Sequence, residues 1–218
     1  MNSSLRHAMA LIDLGRERLR RKRADSLIGS ILPHIEVGQR VLDFGCGDLS
    51  LAEALVRRLG RRAHLVGVEV AASRSWTTRR RAVPLVLYDG QRLPFADGSF
   101  DTSFAAFVLH HSRSGAQLLR ELLRVTRGQV IVLEDVFQHR LELLLLRCFD
   151  AANLVVDRHM SLPFAFKTES EWIEAGRAAG ATYISAQPIR PAMPKPTRHR
   201  AFVMRGTETT RGWAATGA

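Results

Sequence analysis

Acidic residues recur in this chain at the ends of short apolar runs, where a bound molecule could meet them. The first run, Val41-Leu42-Asp43-Phe44, leads into Gly45-Cys46-Gly47-Asp48-Leu49-Ser50, and an amphipathic stretch with Leu51, Leu55, Val56 and Leu59 follows at once. This order predicts a strand, a tight turn and a helix. Glycine at 45 and 47 permits backbone angles closed to other residues and lets a ligand approach the main chain, while the N–H groups opening the helix face it. A second run, Leu65-Val66-Gly67-Val68-Glu69, and a third, Leu85-Val86-Leu87-Tyr88-Asp89, also end in acids. Open α/β sheets bind ligands beyond the carboxyl ends of their strands, so three such acids in succession outline a binding edge. A bare Gly-x-Gly is common; the acids around it give it meaning.

The dinucleotide fingerprint wants a third glycine three positions after the second, and Ser50 stands there. Asp43, two positions before the first glycine, suits the cationic amino group of a methionine moiety better than a phosphate, which favours S-adenosylmethionine. Further blocks follow. They are Asp89-Gly90-Gln91-Arg92-Leu93-Pro94-Phe95-Ala96-Asp97-Gly98-Ser99-Phe100-Asp101, then Val108-Leu109-His110-His111, then Leu119-Arg120-Glu121-Leu122-Leu123-Arg124-Val125. With 41–47 and the Gly67-Val68-Glu69 strand end, they span about half the chain and resemble, in order, the class I S-adenosylmethionine-dependent methyltransferases. The nearest likeness is to the type 11 subgroup, which includes small-molecule and quinone-pathway enzymes. The resemblance implies that Asp43, Gly45, Cys46 and Gly47 surround the methionine end of the cofactor. It implies that Glu69 takes the ribose hydroxyls, and that Asp89 with the Gly90 backbone reads the adenine edge. Two positions depart from the family pattern. Leu49 stands where a third loop glycine is usual, and Thr126-Arg127-Gly128 replaces Pro-Gly-Gly and reads as a different turn.

Methyl transfer is an in-line displacement, and a general base is needed only when the acceptor is protonated at neutral pH. His110 and His111 after the fourth strand and Asp135 after the fifth are the catalytic candidates, with a packed turn and a helix cap as their structural alternatives. Cys46 reads as a small packed residue, not a nucleophile. Asp150 and Asn153, three apart on an apolar helix, form a polar pair that could meet substrate or a neighbouring loop. No His-Glu-x-x-His or paired Cys-x-x-Cys spacing occurs among the eight histidines and two cysteines, so no metal is expected.

Alternating elements must carry these residues: strands near 40–44, 64–69, 84–88, 99–108 and 129–134, with helices near 51–59, 73–81 and 113–125. That alternation argues for a parallel sheet with helices on both faces. An apolar helix over 141–156, broken near Asn153, precedes a loop or lid over 157–167. Thr168 and Glu171 form a capping-box pattern for a helix over 169–179, and an antiparallel pair, 183–189 and 199–204, closes the chain around a proline-rich turn at 188–196. The family likeness makes this a Rossmann-like, seven-stranded, mostly parallel sheet with the last strand antiparallel and an N-terminal helical cap. The expected domain covers 1–206, with the cap at 1–36, a helix and lid insertion at 137–167, and a frayed tail at 207–218.

With 218 residues, 46% of them hydrophobic, the chain can bury one α/β core. Two cysteines make no disulfide framework, no secretory signal is visible, and no run is long and apolar enough to span a bilayer, so the expected compartment is the cytoplasm. The net charge of +11 comes almost wholly from arginine, and its dense run at 16–23 reads first as a solvated helix face. The leading expectation is a methyltransferase acting on a small-molecule acceptor, at oxygen before carbon or nitrogen. An RNA or protein methyltransferase using the basic surface ranks below it, because no Asp/Asn-Pro-Pro-aromatic motif follows the fourth strand. A non-catalytic cofactor-binding relative is the third reading.

Overall fold

β1, Arg40–Phe44, lies at the centre of the sheet and is buried on both faces. Leu42 and Phe44 point into one apolar cluster and Val41 into the other, as strand alternation requires. The computed structural model describes residues 18, 21–60, 64–70, 82–112, 114–156, 165–189 and 197–206. Its other strands are β2 His64–Glu69, β3 Leu85–Leu87, β4 Phe100–Ala106, β5 Thr126–Val136, β6 Ala181–Ile189 and β7 Arg198–Gly206. They form one seven-stranded sheet in the order β3-β2-β1-β4-β5-β7-β6. All neighbours from β3 to β5 pair in parallel, and β7 runs antiparallel to both β5 and β6. The expected Rossmann-like sheet with its last strand reversed is what the chain adopts.

Each face carries its own helices. Helix α3, Gly115–Val125, buries Leu118, Leu119, Leu122 and Leu123 with Trp172 of α5, Glu169–Ala178, against Val130, Val132, Phe202 and Met204. On the opposite face, helical residues 21–31 (α1) and helix α2, Ser50–Leu59, bring Leu27, Ile28, Ile31, Ala52 and Leu55 onto Val41, Phe104, Ile131 and Leu133. Each fully buried Leu, Ile or Phe contributes about 1.5–3 kcal/mol, so these two layers supply most of the driving force. The basic run enters α1 with Arg21, Lys22 and Arg23 exposed and Ala24 buried, which is a solvated face over an apolar one.

Two local expectations change. Residues 126–128 make no turn: α3 passes directly into β5, and a Cβ on Gly128 would lie 2.3 Å from the Asp101 carbonyl oxygen, so the close β4–β5 approach requires glycine there. Helix α4, Arg140–Val156, runs through Asn153 without a break, because Asn153 alone costs a helix only a few tenths of a kcal/mol. The capping box forms as expected, with the Glu171 N–H donating to Thr168 Oγ1 and the Thr168 N–H to Glu171 Oε2. The expected helix over 73–81, most of the 157–167 lid, the 190–196 part of the turn and the tail lie outside the described residues. Among the described residues, no helix is long and apolar enough to cross a membrane.

Candidate functional site

The loop after β1 alternates left-handed backbone with ordinary backbone. Gly45 has φ +65°, Gly47 +52° and Leu49 +63°. The N–H groups of Gly45 and Cys46 both donate to the Val68 carbonyl, at 2.9 and 3.2 Å, which ties the bend to β2. A Cβ on Gly45 would lie 2.3 Å from Val108 Cγ2, so the bend packs under the segment that leaves β4. At Gly47 a Cβ would meet nothing within 4 Å among the described residues.

Asp43 is 2% exposed, and among the described residues its Oδ2 has no hydrogen-bond partner. Burial, then the neighbouring Glu69 and Asp48 carboxylates, push its pKa well above the usual carboxylate range, against the pull of the Ala52 N–H. Glu69 accepts from the Gly47 N–H (3.1 Å) and the Val70 N–H (2.8 Å), so it lies across the same loop. Exposed Asp89 accepts from the Gln91 and Arg92 N–H groups at 2.9 and 3.1 Å, and these bonds hold its carboxyl below the usual range. Gly90 turns the chain there with φ +80°. Burial, then the Glu69 and Asp89 carboxylates, push the Tyr88 phenol above its ordinary value. The three expected acids therefore stand at the carboxyl edge of adjacent strands β1, β2 and β3.

The proposed catalytic trio divides. Phe107, with φ +54°, turns the chain out of β4 into a short helical turn, Leu109–His111. His110 is 2% exposed and lies between two acids: Nδ1 is 2.5 Å from Glu134 Oε2, and Nε2 is 3.1 Å from Asp150 Oδ2 of α4. Glu134 also accepts from the Leu109 N–H at 2.9 Å. The Phe166 ring stacks on His110 at 4.5 Å. Burial opposes protonation of His110, but the two carboxylates outweigh it and raise its pKa to about 10. As an imidazolium at neutral pH, His110 has no lone pair with which to take a proton. His111 is half-buried, with its Nε2 3.9 Å from Asp150 Oδ2.

Asp135 belongs to the other face. Side chains alternate along β5, so Glu134 points with Val132 and Val136 while Asp135 points with Ile131 and Leu133. There it pairs with His199, its register partner on β7, whose ring meets Phe107 edge-on at 5.3 Å. Sequence reasoning placed Asp135 with the histidines and passed over Glu134. Strict alternation along β5 was the signal that could have separated the two.

Residues 42–133 match the family model described as "Methyltransferase domain", type 11. Over 92 residues the chain is 39% identical to a malonyl-[acyl-carrier protein] O-methyltransferase of Legionella pneumophila, covering 40% of this chain and 32% of that protein. It is 33% identical over 126 residues to a demethylmenaquinone methyltransferase of a Mycobacterium species, covering 57% of this chain and 51% of the relative. The chain thus spans a third to a half of the length of these curated relatives. A solved S-adenosylmethionine-dependent methyltransferase of Aquifex aeolicus shares the fold, with TM-score 0.60 at 17% identity, over 85% of this chain and 92% of that one.

Proposed function

We propose that this chain, which carries a class I, type 11 methyltransferase domain over residues 42–133, transfers the methyl group of S-adenosylmethionine to a small-molecule acceptor. Oxygen is the acceptor atom proposed first, with carbon or nitrogen as the alternatives. One observation carries the cofactor reading: a buried carboxylate, Asp43, whose Oδ2 has no hydrogen-bond partner among the described residues, beside a two-glycine bend. A buried ionised group is costly without a counter-charge, and the ammonium of a methionine moiety would supply one. Gly45, Cys46 and Gly47 would line the same end of the cofactor. Glu69 accepts two N–H groups and, with about four lone-pair sites, can accept the ribose hydroxyls as well. Asp89, braced by its own turn, and the Gly90 backbone would read the adenine edge.

When bound, the sulfonium supplies an electrophilic methyl group. What the protein adds is alignment of acceptor, methyl and sulfur, an effect that can lower a barrier by about 7–11 kcal/mol. Val108, packed over Gly45, carries the chain to His110 and His111, which we place on the acceptor side of the reaction. His110 would act there as a fixed positive charge, leaving His111 as the base if the acceptor needs one.

Titration calorimetry with S-adenosylhomocysteine tests the reading. Saturable binding that is lost in Glu69→Ala and weakened in Asp43→Asn is expected. Absence of heat from folded wild-type protein would overturn it. Transfer of a labelled methyl group across a panel of hydroxyl, amine and activated-carbon acceptors then identifies the acceptor atom.

A further inference from the structure

We propose that His110, His111 and Asp150 form a binding site for one divalent transition-metal ion of the zinc or cobalt class, with Glu134 orienting His110. The ligand atoms come from two elements that the fold brings together, the turn after β4 and the middle of α4. His110 Nε2 lies 3.1 Å from Asp150 Oδ2 and His111 Nε2 3.9 Å from the same oxygen, and one ligand atom from each residue lies within 4.8 Å of the others. Atoms bound to zinc at about 2.0–2.1 Å stand roughly 3–3.5 Å apart, so small side-chain rotations bring all three onto one ion.

Five further features fit an ion. His110 Nδ1 faces Glu134 Oε2 at 2.5 Å, and Glu134 Oε1 is fixed by the Leu109 N–H. A carboxylate behind the ring of a ligating histidine sets its tautomer and orientation. The Glu134 and Asp150 carboxylates balance the two positive charges of the ion. Phe166 walls one side of His110, and the Ala165 N–H donates to the His110 carbonyl at 2.8 Å, which fixes the turn against the later chain. His111 and Asp150, 17% and 14% exposed, leave a path for entry from solvent. Two histidines and one carboxylate on one side leave coordination positions open, as at sites that bind water or substrate. On binding, the ion replaces the Nε2 proton of His110, which passes to solvent, and takes over the positive charge that the imidazolium holds without it; Nδ1 keeps its proton and donates it to the Glu134 carboxylate.

The site's use in catalysis rests on the methyl-transfer reading. Its ligands begin two residues after Val108, which covers the glycine bend, so an acceptor oxygen on the ion would be near the reacting methyl. A coordinated hydroxyl loses its proton more readily, which would take over the task of a side-chain base.

The test uses tag-free, chelator-treated protein titrated with Zn(II) by calorimetry and with Co(II) by visible absorption. We expect one equivalent bound, with Co(II) bands of imidazole and carboxylate ligation. His111→Ala and Asp150→Asn should each abolish the bands, and Glu134→Gln should weaken Zn(II) about 10- to 100-fold. His111 is partly exposed, so His111→Ala should fold, and a cooperative thermal melt of each variant, followed by far-UV circular dichroism, reports that it has. Failure of wild-type protein to bind either metal, or binding unchanged in His111→Ala and Asp150→Asn, overturns the metal site. If metal is absent while S-adenosylhomocysteine binds, only the metal site falls. If metal binds and S-adenosylhomocysteine does not, the metal site stands and the methyl-transfer reading falls.

Discussion

Asp43→Asn should make the protein more stable and a worse binder of its cofactor, and the opposite signs are the point of the experiment. Asp43 is 2% exposed, faces Glu69 and Asp48, and has one oxygen without a partner among the described residues. Its folded-state pKa lies above the unfolded value of 3.8, so the folded state holds the proton more tightly than the unfolded chain. Ionisation therefore destabilises the fold, and the full penalty is present once pH exceeds both values. Asparagine keeps the size and an acceptor for the Ala52 N–H while removing the charge. The ligand-free melting temperature should rise, by roughly 2–4 °C for each kcal/mol recovered in a chain of this size. A hydrogen bond to a charged partner contributes roughly 1.5–3 kcal/mol. Losing one to a ligand ammonium should weaken S-adenosylhomocysteine binding about 10- to 100-fold. Scanning calorimetry without ligand and titration calorimetry with it give the two numbers. A lower melting temperature with unchanged affinity would make Asp43 a structural residue and refute the reasoning.

Leu49→Gly relieves about 1–2 kcal/mol of left-handed strain but removes a 1%-exposed leucine whose loss costs about 2–5 kcal/mol, so a net loss of stability is expected in denaturant melts. A Cβ on Gly67 would lie 2.4 Å from Leu49 Cδ2 and 2.9 Å from Cys46 Sγ. Gly67→Ala should therefore be destabilising alone and less so in the Leu49→Gly background, with a coupling of about 0.5–3 kcal/mol; strict additivity would refute the contact. Thr168→Ala removes the capping box of α5 and should cost about 1 kcal/mol, read as a fall in melting temperature. Glu121 accepts from Arg124 and from the Leu93 N–H, and these bonds, Arg124 first, hold its pKa below 4.5. Its contribution is present above pH 4.5 and lost as pH falls through the lowered folded value. The stability gap between wild type and Glu121→Gln should accordingly close in acid, and a gap independent of pH would sink this assignment.

The parts of the fold that were legible are those set by local pattern. β1 and β2 follow from apolar runs between glycines and acids, and α5 from its capping box. Asp43, Glu69 and Asp89 could be read because a strand that ends in an acid puts it at the sheet edge whatever the tertiary detail. Leu49 could not. It looks like a missing glycine, yet its side chain is buried against β2 where Gly67 leaves room for it. The permissive residue sits in the neighbouring strand, and one run of sequence does not disclose that exchange.

The His110 cluster was illegible for a different reason. His110, His111 and Asp150 each stand out in the sequence and Glu134 does not, but Asp150 reaches His110 across 40 residues, and no local spacing encodes that contact. Glu134 and Asp135 show how little separates the two faces. Alternation puts these adjacent acids on opposite faces, but a strand buried on both sides reads as an unbroken apolar run, so the sequence does not show which of them faces the histidines. Yet one step along it sends Glu134 to His110 and Asp135 to His199, on opposite sides of the sheet. A one-residue slip of β5 would exchange the two acids' faces and carry every apolar neighbour with them. The pairing of β5 with β4 and β7 over the two apolar layers therefore decides which acid stands behind His110, and the cluster's chemistry follows from strand register.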